Sequence, residues 1–106
     1  MVVIPEFSTP FAVVAHDRKL TKDELIRAIR FNIAAEYEAI QMYVQRAEST
    51  DDKLAAEVLR DIAEEEVVHA GEFLRLLKYL SPEEEKLYQE GYEEVEEEIE
   101  KFQKAK

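Results

Sequence analysis

Residues 62–73 read IAEEEVVHAGEF, a stretch in which a carboxylate and an imidazole interrupt an apolar helical stripe. Steps of three and four residues trace that stripe through Ala55, Leu59, Ile62, Glu66, His69, Phe73, Leu76 and Leu80. Glu66 and His69 are its polar members, and their spacing is about one helical turn. Both side chains can therefore reach one ion, which predicts a pair of metal ligands.

The preceding helix is predicted from Thr21, whose capping box closes with Glu24, to about Glu48. Its stripe is Ile26, Ile29, Ile33, Glu36, Ile40, Tyr43 and Ala47. A buried carboxylate without a partner is costly, so Glu36 requires an ion pair, a proton or a metal.

The two helices are expected to form an antiparallel hairpin that turns near Asp51. Glu36 and Glu66 are each 15 residues from that turn, so they lie at the same height in the hairpin. At 1.5 Å per residue this level is about 22 Å from the turn, near the middle and driest part of both helices. We therefore predict that Glu36, Glu66 and His69 are the metal ligands and the catalytic residues.

A shorter acidic helix is predicted after Ser81, with Pro82 in its first turn and Glu84 closing a second capping box. Gly91 is expected to bend or interrupt it. Its narrow apolar seam continues through Tyr92, Val95, Ile99 and Phe102. Such a seam needs a partner, either the hairpin or another subunit.

Length and composition limit the possible fold classes, domain arrangements and partners of the protein. The length of 106 residues allows one domain, and only two glycines and three prolines favour an all-α fold over hairpin-rich β architectures. We expect an extended arm at 1–20, the hairpin at 21–80 and the acidic helix at 81–106.

A net charge of −11 argues against nucleic acid as a partner, and no apolar run is long enough to span a membrane. No export signal is recognised, so the cytoplasm is expected.

The absence of cysteine excludes thiolate metal sites, which leaves carboxylate and imidazole ligands. These ligands suit iron or manganese. Di-iron carboxylate bundles use one glutamate from each of two helices and Glu-x-x-His from each of the other two. This chain carries half of that set, and His16 does not belong to a second Glu-x-x-His. An obligate homodimer would supply four glutamates and two histidines.

Residues 35–43, AEYEAIQMY, and 65–73, EEVVHAGEF, resemble the half-length ferritin-like di-iron family of encapsulated ferritins and rubrerythrin-type proteins. The resemblance covers roughly residues 22–80. It implies a hairpin that dimerises into a ferritin-like four-helix bundle around a ferroxidase centre, with dimers forming an open ring. It also implies delivery of oxidised iron to an encapsulin-type shell. Glu36, Glu66 and His69 match the family's metal ligands.

Other positions match this family less fully. Tyr43 matches an aromatic position beside the ligands, and Glu38 an acidic residue associated with metal entry. Ala35 replaces a frequent acidic residue, and Met42 replaces a tryptophan of some members. Residues 100–106 lack the Gly/Leu-rich targeting peptide of many encapsulated members, so this tail does not support encapsulation.

The expected function is a ferroxidase that oxidises Fe(II) with dioxygen or peroxide, for iron handling, iron storage or protection from oxidative stress. The expected cofactor is a di-iron centre, with manganese or another divalent metal as an alternative. The expected location is the cytoplasm, or a protein nanocompartment within it if the chain is enclosed by an encapsulin-type shell. The alternatives are a rubrerythrin-like peroxide scavenger and a metal-free helical interaction module.

Several residues keep a second interpretation. Glu66 and His69 are either metal ligands or a surface ion pair on a helix whose true core face is rotated. Glu65 is the rival of Glu66, since it lies four residues before His69. Tyr43 is either core packing or a redox residue. Glu38 and Glu72 are either a solvated face or a route for metal entry.

Overall fold

Three helices make up the fold. The computed structural model describes residues 18–105, and within them α1 (Lys22–Glu48), α2 (Lys53–Leu80) and α3 (Pro82–Lys104) follow one another without a strand. The all-α prediction of a two-helix hairpin followed by a shorter helix is confirmed. The predicted arm at 1–20 lies outside the described residues except for its last three, and His16 lies outside them too.

The helix starts follow from local hydrogen bonds. At α1 the Glu24 amide donates to Thr21 Oγ1 at 3.1 Å and the Thr21 amide donates to Glu24 Oε1 at 2.8 Å, which is the predicted capping box. Arg18 adds two hydrogen bonds to the Glu24 carboxylate, at 2.7 and 2.6 Å. At α2 the Asp52 carboxylate accepts from the Ala55 amide at 2.9 Å. The Asp52 cap lies in the short connection between the two long helices, whereas the Thr21 cap lies at the opposite end of α1.

Two expectations for α3 are wrong. The Ser81 side chain makes no cap hydrogen bond at the start of the helix. The Glu84 carboxylate, expected to close a capping box, instead accepts hydrogen bonds from Arg30 of α1. The helix also runs without interruption through Gly91, where φ is not positive. Glycine lowers the stability of a helix interior without breaking it.

The hairpin core uses the predicted face of α1 but a different face of α2. Buried side chains in α1 are Ile26, Ile29, Ile33 and Ala47, all from the predicted stripe. In α2 they are Ala56, Ala63, Ala70 and Leu77, each one position after a member of the predicted stripe. One residue corresponds to about 100° around a helix, so the predicted stripe of α2 faces the side of the hairpin. Small alanines allow the two helices to pack closely there.

The third helix is attached to the hairpin through its first turns. Arg30 of α1 donates to the Glu84 carboxylate from Nε and from a terminal nitrogen, the latter at 2.6 Å, and Tyr88 donates to the same carboxylate. Tyr88 also packs on the core cluster, and the Lys78 ammonium lies 5.6 Å from the centre of the Tyr92 ring. Beyond Tyr88, residues 89–105 are exposed.

The molecule is open in shape. Its radius of gyration is 18.7 Å, whereas a compact chain of this length has about 13 Å. Large apolar side chains are accordingly exposed on all three helices, including Phe31, Val68 and Val95. No helix among residues 18–105 is long and apolar enough to cross a membrane. The described helices leave much apolar surface in water.

Candidate metal centre

The hairpin brings the three predicted site residues together. Glu36 lies in the middle of α1, and Glu66 and His69 lie one turn apart in the middle of α2. Each residue presents a potential ligand atom, and the three atoms all lie within 4.8 Å of one another. Ligands about 2.0–2.2 Å from one metal are at most about 4.4 Å apart, so small rotations of the side chains would enclose an ion.

The geometry leaves one of these oxygens without a partner. His69 Nδ1 lies 3.7 Å from Glu36 Oε2 and 3.8 Å from Glu66 Oε2, both too long for a hydrogen bond. Glu36 Oε2 is buried and accepts no hydrogen bond. Buried polar atoms are normally satisfied, and an orphaned one calls for a specific explanation. A cation between the three residues would satisfy this oxygen, so the donor set fits a metal.

Electrostatics lead to the same conclusion. The nearby Glu66 carboxyl is the main cause that raises the pKa of Glu36 above its ordinary value, and burial adds to the rise. His69 opposes it but is the weaker influence. Two carboxylates held this close in a partly buried place repel each other unless a proton or a cation lies between them. The arrangement is unfavourable without positive charge and favourable with it.

The site is wetter than the sequence suggested. The His69 side chain is 47% exposed, whereas those of Glu36 and Glu66 are 18% and 19% exposed. The expectation that this level is the driest part of the hairpin is wrong for His69. The reason is the rotation of α2 about its own axis. Its alanine face packs in the hairpin core, and the stripe that contains His69 does not.

The structure also places the neighbours of the predicted ligands. Glu66 lies at the cluster, and its rival Glu65 is exposed. Tyr43 is half-buried, which suits either of its two interpretations. Glu38 and Glu72 are exposed, in agreement with a solvated face.

Sequence reasoning missed the polar cluster of Arg30, Glu84 and Tyr88 that joins α1 to α3. Arg30 and Glu84 are 54 residues apart, and neither interrupts a predicted apolar stripe. The spacing of Glu84 and Tyr88, one turn apart on α3, was the available signal.

A known protein family matches this chain over most of its length. The sequence profile of the rubrerythrin family matches residues 7–78 and, in a second alignment, residues 27–105. This chain belongs to the rubrerythrin family. The family is ferritin-like, which agrees with the helical hairpin and with the glutamate and histidine residues at its centre.

Relatives within this ferritin-like group are associated with encapsulin by name. The chain is 40% identical over 85 residues to a ferritin-like-encapsulin shell fusion protein of Pyrococcus furiosus, covering 80% of this chain and 25% of that protein. It is 42% identical over 66 residues to the encapsulin nanocompartment cargo protein EncC of Myxococcus xanthus, covering 62% and 51% respectively. The chain thus spans between a quarter and half of the length of these curated relatives.

A solved structure supports the same rubrerythrin-type fold. The crystal structure of the encapsulated ferritin domain from Pyrococcus furiosus matches with a TM-score of 0.75 and 36% identity. The match covers 92% of this chain and 94% of that domain. All three helices therefore belong to the shared architecture.

Proposed function

We propose that this rubrerythrin-family protein is a ferroxidase that binds Fe(II) between Glu36, Glu66 and His69 and promotes its oxidation. The buried Glu36 Oε2, which accepts no hydrogen bond, carries the proposal. Glu36, Glu66 and His69 each offer one ligand atom, and these three atoms lie within 4.8 Å of one another. An isolated buried acceptor destabilises the metal-free chain, and a bound cation removes that cost. The donor set of two carboxylates and one imidazole suits iron and manganese.

A second copy of the chain would complete the site. The open side of the hairpin carries His69 and the half-buried apolar residues Ile40, Ile62 and Phe73. A partner related by a two-fold axis would cover these residues and add an equal set of ligands. The combined set of four carboxylates and two imidazoles is the one that di-iron four-helix bundles use.

The proposed reaction oxidises two Fe(II) ions to Fe(III), and dioxygen takes the two electrons with two protons and leaves as hydrogen peroxide. The residues of this chain have separate tasks. Glu36 and Glu66 supply negative charge, which stabilises the more highly charged Fe(III) product over Fe(II). His69 supplies a neutral nitrogen ligand. The pKa of Glu36 is raised by Glu66 and by burial, so protonation of this carboxyl would compete with cation binding.

We further propose that the protein acts as the cargo of an encapsulin-type shell, which would receive the oxidised iron. The names of the two curated relatives support this proposal. Co-expression with an encapsulin shell protein, followed by isolation of the shells, should recover the chain inside them. The His69→Ala variant should be recovered equally, since it lacks a ligand and not a docking surface. Shells that form without the chain would count against the proposal.

The decisive experiment for the ferroxidase is rapid mixing of anaerobic Fe(II)-loaded protein with dioxygen, followed by the ultraviolet absorbance of Fe(III). Glu36→Ala and His69→Ala should slow oxidation at least ~100-fold, because each removes a ligand. Glu65→Ala is the matched control, exposed and adjacent to a ligand, and should oxidise Fe(II) at the wild-type rate. A dead Glu65→Ala beside an active Glu66→Ala would shift the assignment on α2 by one residue.

Two further mixings separate the other functions. Anaerobic Fe(II)-loaded protein mixed with hydrogen peroxide should react no faster than with dioxygen, and a much faster reaction would favour the peroxide scavenger. Calorimetric titration with Fe(II) should show binding at one ion per chain. No binding of Fe(II) or Mn(II) would favour a metal-free interaction module.

A further inference from the structure

A cavity of about 380 Å³ lies where the three helices meet, and the proposed metal site does not use it. Its most buried lining residues are Ile33 of α1 and Leu77 of α2, both members of the hairpin core. Three tyrosines also line it: Tyr37 of α1 and Tyr88 and Tyr92 of α3. Cavities of about 300–1,000 Å³ with apolar and aromatic linings are typical of small-molecule sites.

The lining favours a flat aromatic ligand. Tyr37 and Tyr92 are 50% and 54% exposed, so both rings have area left to contact a ligand. A tyrosine ring offers a large, rigid contact surface at little cost in conformational entropy. Contacts between aromatic rings are also more favourable than the burial of their area alone. A planar ring system would contact several tyrosines at once.

The charges around the cavity favour an anion. The chain has 25 acidic residues, yet none of those within residues 18–105 lines this cavity. Arg30 does line it, and it holds Glu84 through Nε and one terminal nitrogen. The other terminal nitrogen, Nη1, donates to no residue in the described range. Its N–H groups therefore remain available to an acceptor on a ligand.

A second cation lies at the edge of the cavity. Lys78 is half-buried, and its ammonium nitrogen lies 5.6 Å from the centre of the Tyr92 ring. It forms no ion pair with any carboxylate of residues 18–105. Partly buried charges are normally paired, and this chain is rich in acidic partners. An anionic group beside Tyr92 would supply the missing negative charge.

We propose that this cavity binds a planar aromatic carboxylate, with its ring against the tyrosines and its carboxylate held by Lys78 and Arg30. A single negative charge suits the site, because the net charge of −11 opposes more highly charged anions. Tyr37 follows Glu36 in the chain, and neighbouring helical residues point about 100° apart, so the cavity opens on a different face of α1 from the metal site. The inference therefore does not rest on the ferroxidase proposal.

A charge series of one ring system tests the class of ligand. The full chain is titrated with the anion 2-naphthoate, the neutral 2-naphthylmethanol and the cation 2-naphthylmethylammonium, and naphthalene fluorescence is followed. The anion should bind with a dissociation constant below ~1 mM and roughly 10-fold more tightly than the neutral compound. The cation should bind least tightly. The net charge of the chain alone predicts the reverse order, so a reversed order, equal affinities or no saturation with the anion would overturn the proposal.

Matched variants locate the ligand. Lys78→Gln should weaken binding of 2-naphthoate roughly 10-fold and leave 2-naphthylmethanol unchanged, whereas Lys86→Gln, an exposed position of α3 outside the cavity, should change neither. Tyr37→Leu should weaken both compounds, and Tyr79→Leu, which alters a 71% exposed tyrosine outside the cavity, should weaken neither. Circular dichroism checks that each variant keeps its helices. Equal losses in a variant and its control would contradict the proposed location.

A variant of the metal centre separates this site from the proposed ferroxidase. His69→Ala should bind 2-naphthoate as tightly as the wild type, because His69 does not line the cavity. A loss of binding in His69→Ala would instead place the carboxylate on metal bound at that centre, and it would overturn the cavity proposal. Full binding in His69→Ala supports the cavity whether or not the chain oxidises Fe(II).

Discussion

Glu36 and Glu84 are two carboxylates of similar exposure with opposite surroundings. Their side chains are 18% and 14% exposed. Hydrogen bonds from Arg30 are the main cause that lowers the pKa of Glu84 to about 2, and Tyr88 assists against the opposing effect of burial. Glu36 Oε2 has no hydrogen-bond partner, and the facing Glu66 carboxyl raises the pKa of Glu36. Exposure alone therefore does not determine the state of a glutamate.

The difference separates a structural carboxylate from a proposed metal ligand. Glu84 receives all the positive charge it needs from its own chain, and in return it holds α3 against α1. Glu36 receives too little positive charge from His69 to offset the effect of Glu66. Its negative charge therefore remains available to a cation. A single chain thus contains one satisfied and one unsatisfied glutamate, and substitutions at the two positions should have opposite consequences.

The largest contrast is expected in activity. Glu36→Gln should lower the rate of Fe(II) oxidation at least ~100-fold, because an amide binds iron less strongly and lacks the negative charge. Glu84→Gln should keep most of the wild-type rate. Rapid-mixing absorbance measures both, and equal losses in the two variants would remove the distinction between them.

Metal binding should produce the next largest effect. Mn(II), which avoids oxidation during the measurement, should stabilise the wild-type protein by about 2.7 kcal/mol at a hundredfold excess over its dissociation constant. Chelation with EDTA should reverse the rise in melting temperature. Glu84→Gln should show the same rise as the wild type, whereas Glu36→Gln should show little. A rise that survives in Glu36→Gln would place the bound metal elsewhere.

Without metal, the two variants should differ in stability. Glu84→Gln should lower the melting temperature by roughly 4 °C, since it weakens the contact that joins α1 to α3. Glu36→Gln should raise it slightly, because the substitution removes repulsion from Glu66. Thermal unfolding in EDTA, followed by circular dichroism, checks both signs. A fall for Glu36→Gln would mean that its carboxyl is already satisfied in the apo protein.

The smallest effects concern pH. The pKa of Glu84 falls from its ordinary value of 4.5 to about 2 on folding, so its stabilisation is present above pH 4.5 and is lost as the pH falls towards 2. The raised pKa of Glu36 has the opposite sign: stability in the apo protein falls as the pH rises from 4.5 through that raised value. Melting temperatures measured against pH should test both effects. Glu84→Gln should lose the fall in melting temperature towards pH 2, and Glu36→Gln should lose the fall that occurs as the pH rises above 4.5.

The sequence predicted the cluster of Glu36, Glu66 and His69 because polar residues in an apolar stripe are conspicuous. The equal distance of Glu36 and Glu66 from the turn then fixes the height of these two residues. In an antiparallel hairpin, residues equally far from the turn lie at one height because both helices rise by the same length per residue.

The packing face of α2 could not be predicted in the same way. Alanine is a weak indicator of burial, so the larger residues of the neighbouring stripe dominated the pattern and displaced the expected face by one residue. The contact between Arg30 and Glu84 was missed for a related reason, since charged residues on two separate helices carry no periodic signal.

The buried alanines of α2 also influence the geometry of the proposed metal centre. Ala63 and Ala70 lie three residues before and four residues after Glu66, at 4% and 3% exposure. Their size limits how closely α1 approaches α2, and so it sets the gap between Glu36 and Glu66. Larger side chains at these positions would widen the gap and favour ions such as Ca²⁺, with bonds of about 2.3–2.6 Å, over ions with bonds near 2.1 Å. We therefore expect that substitutions behind the proposed ligands change the ionic-radius selectivity of the site, with every proposed ligand left unchanged.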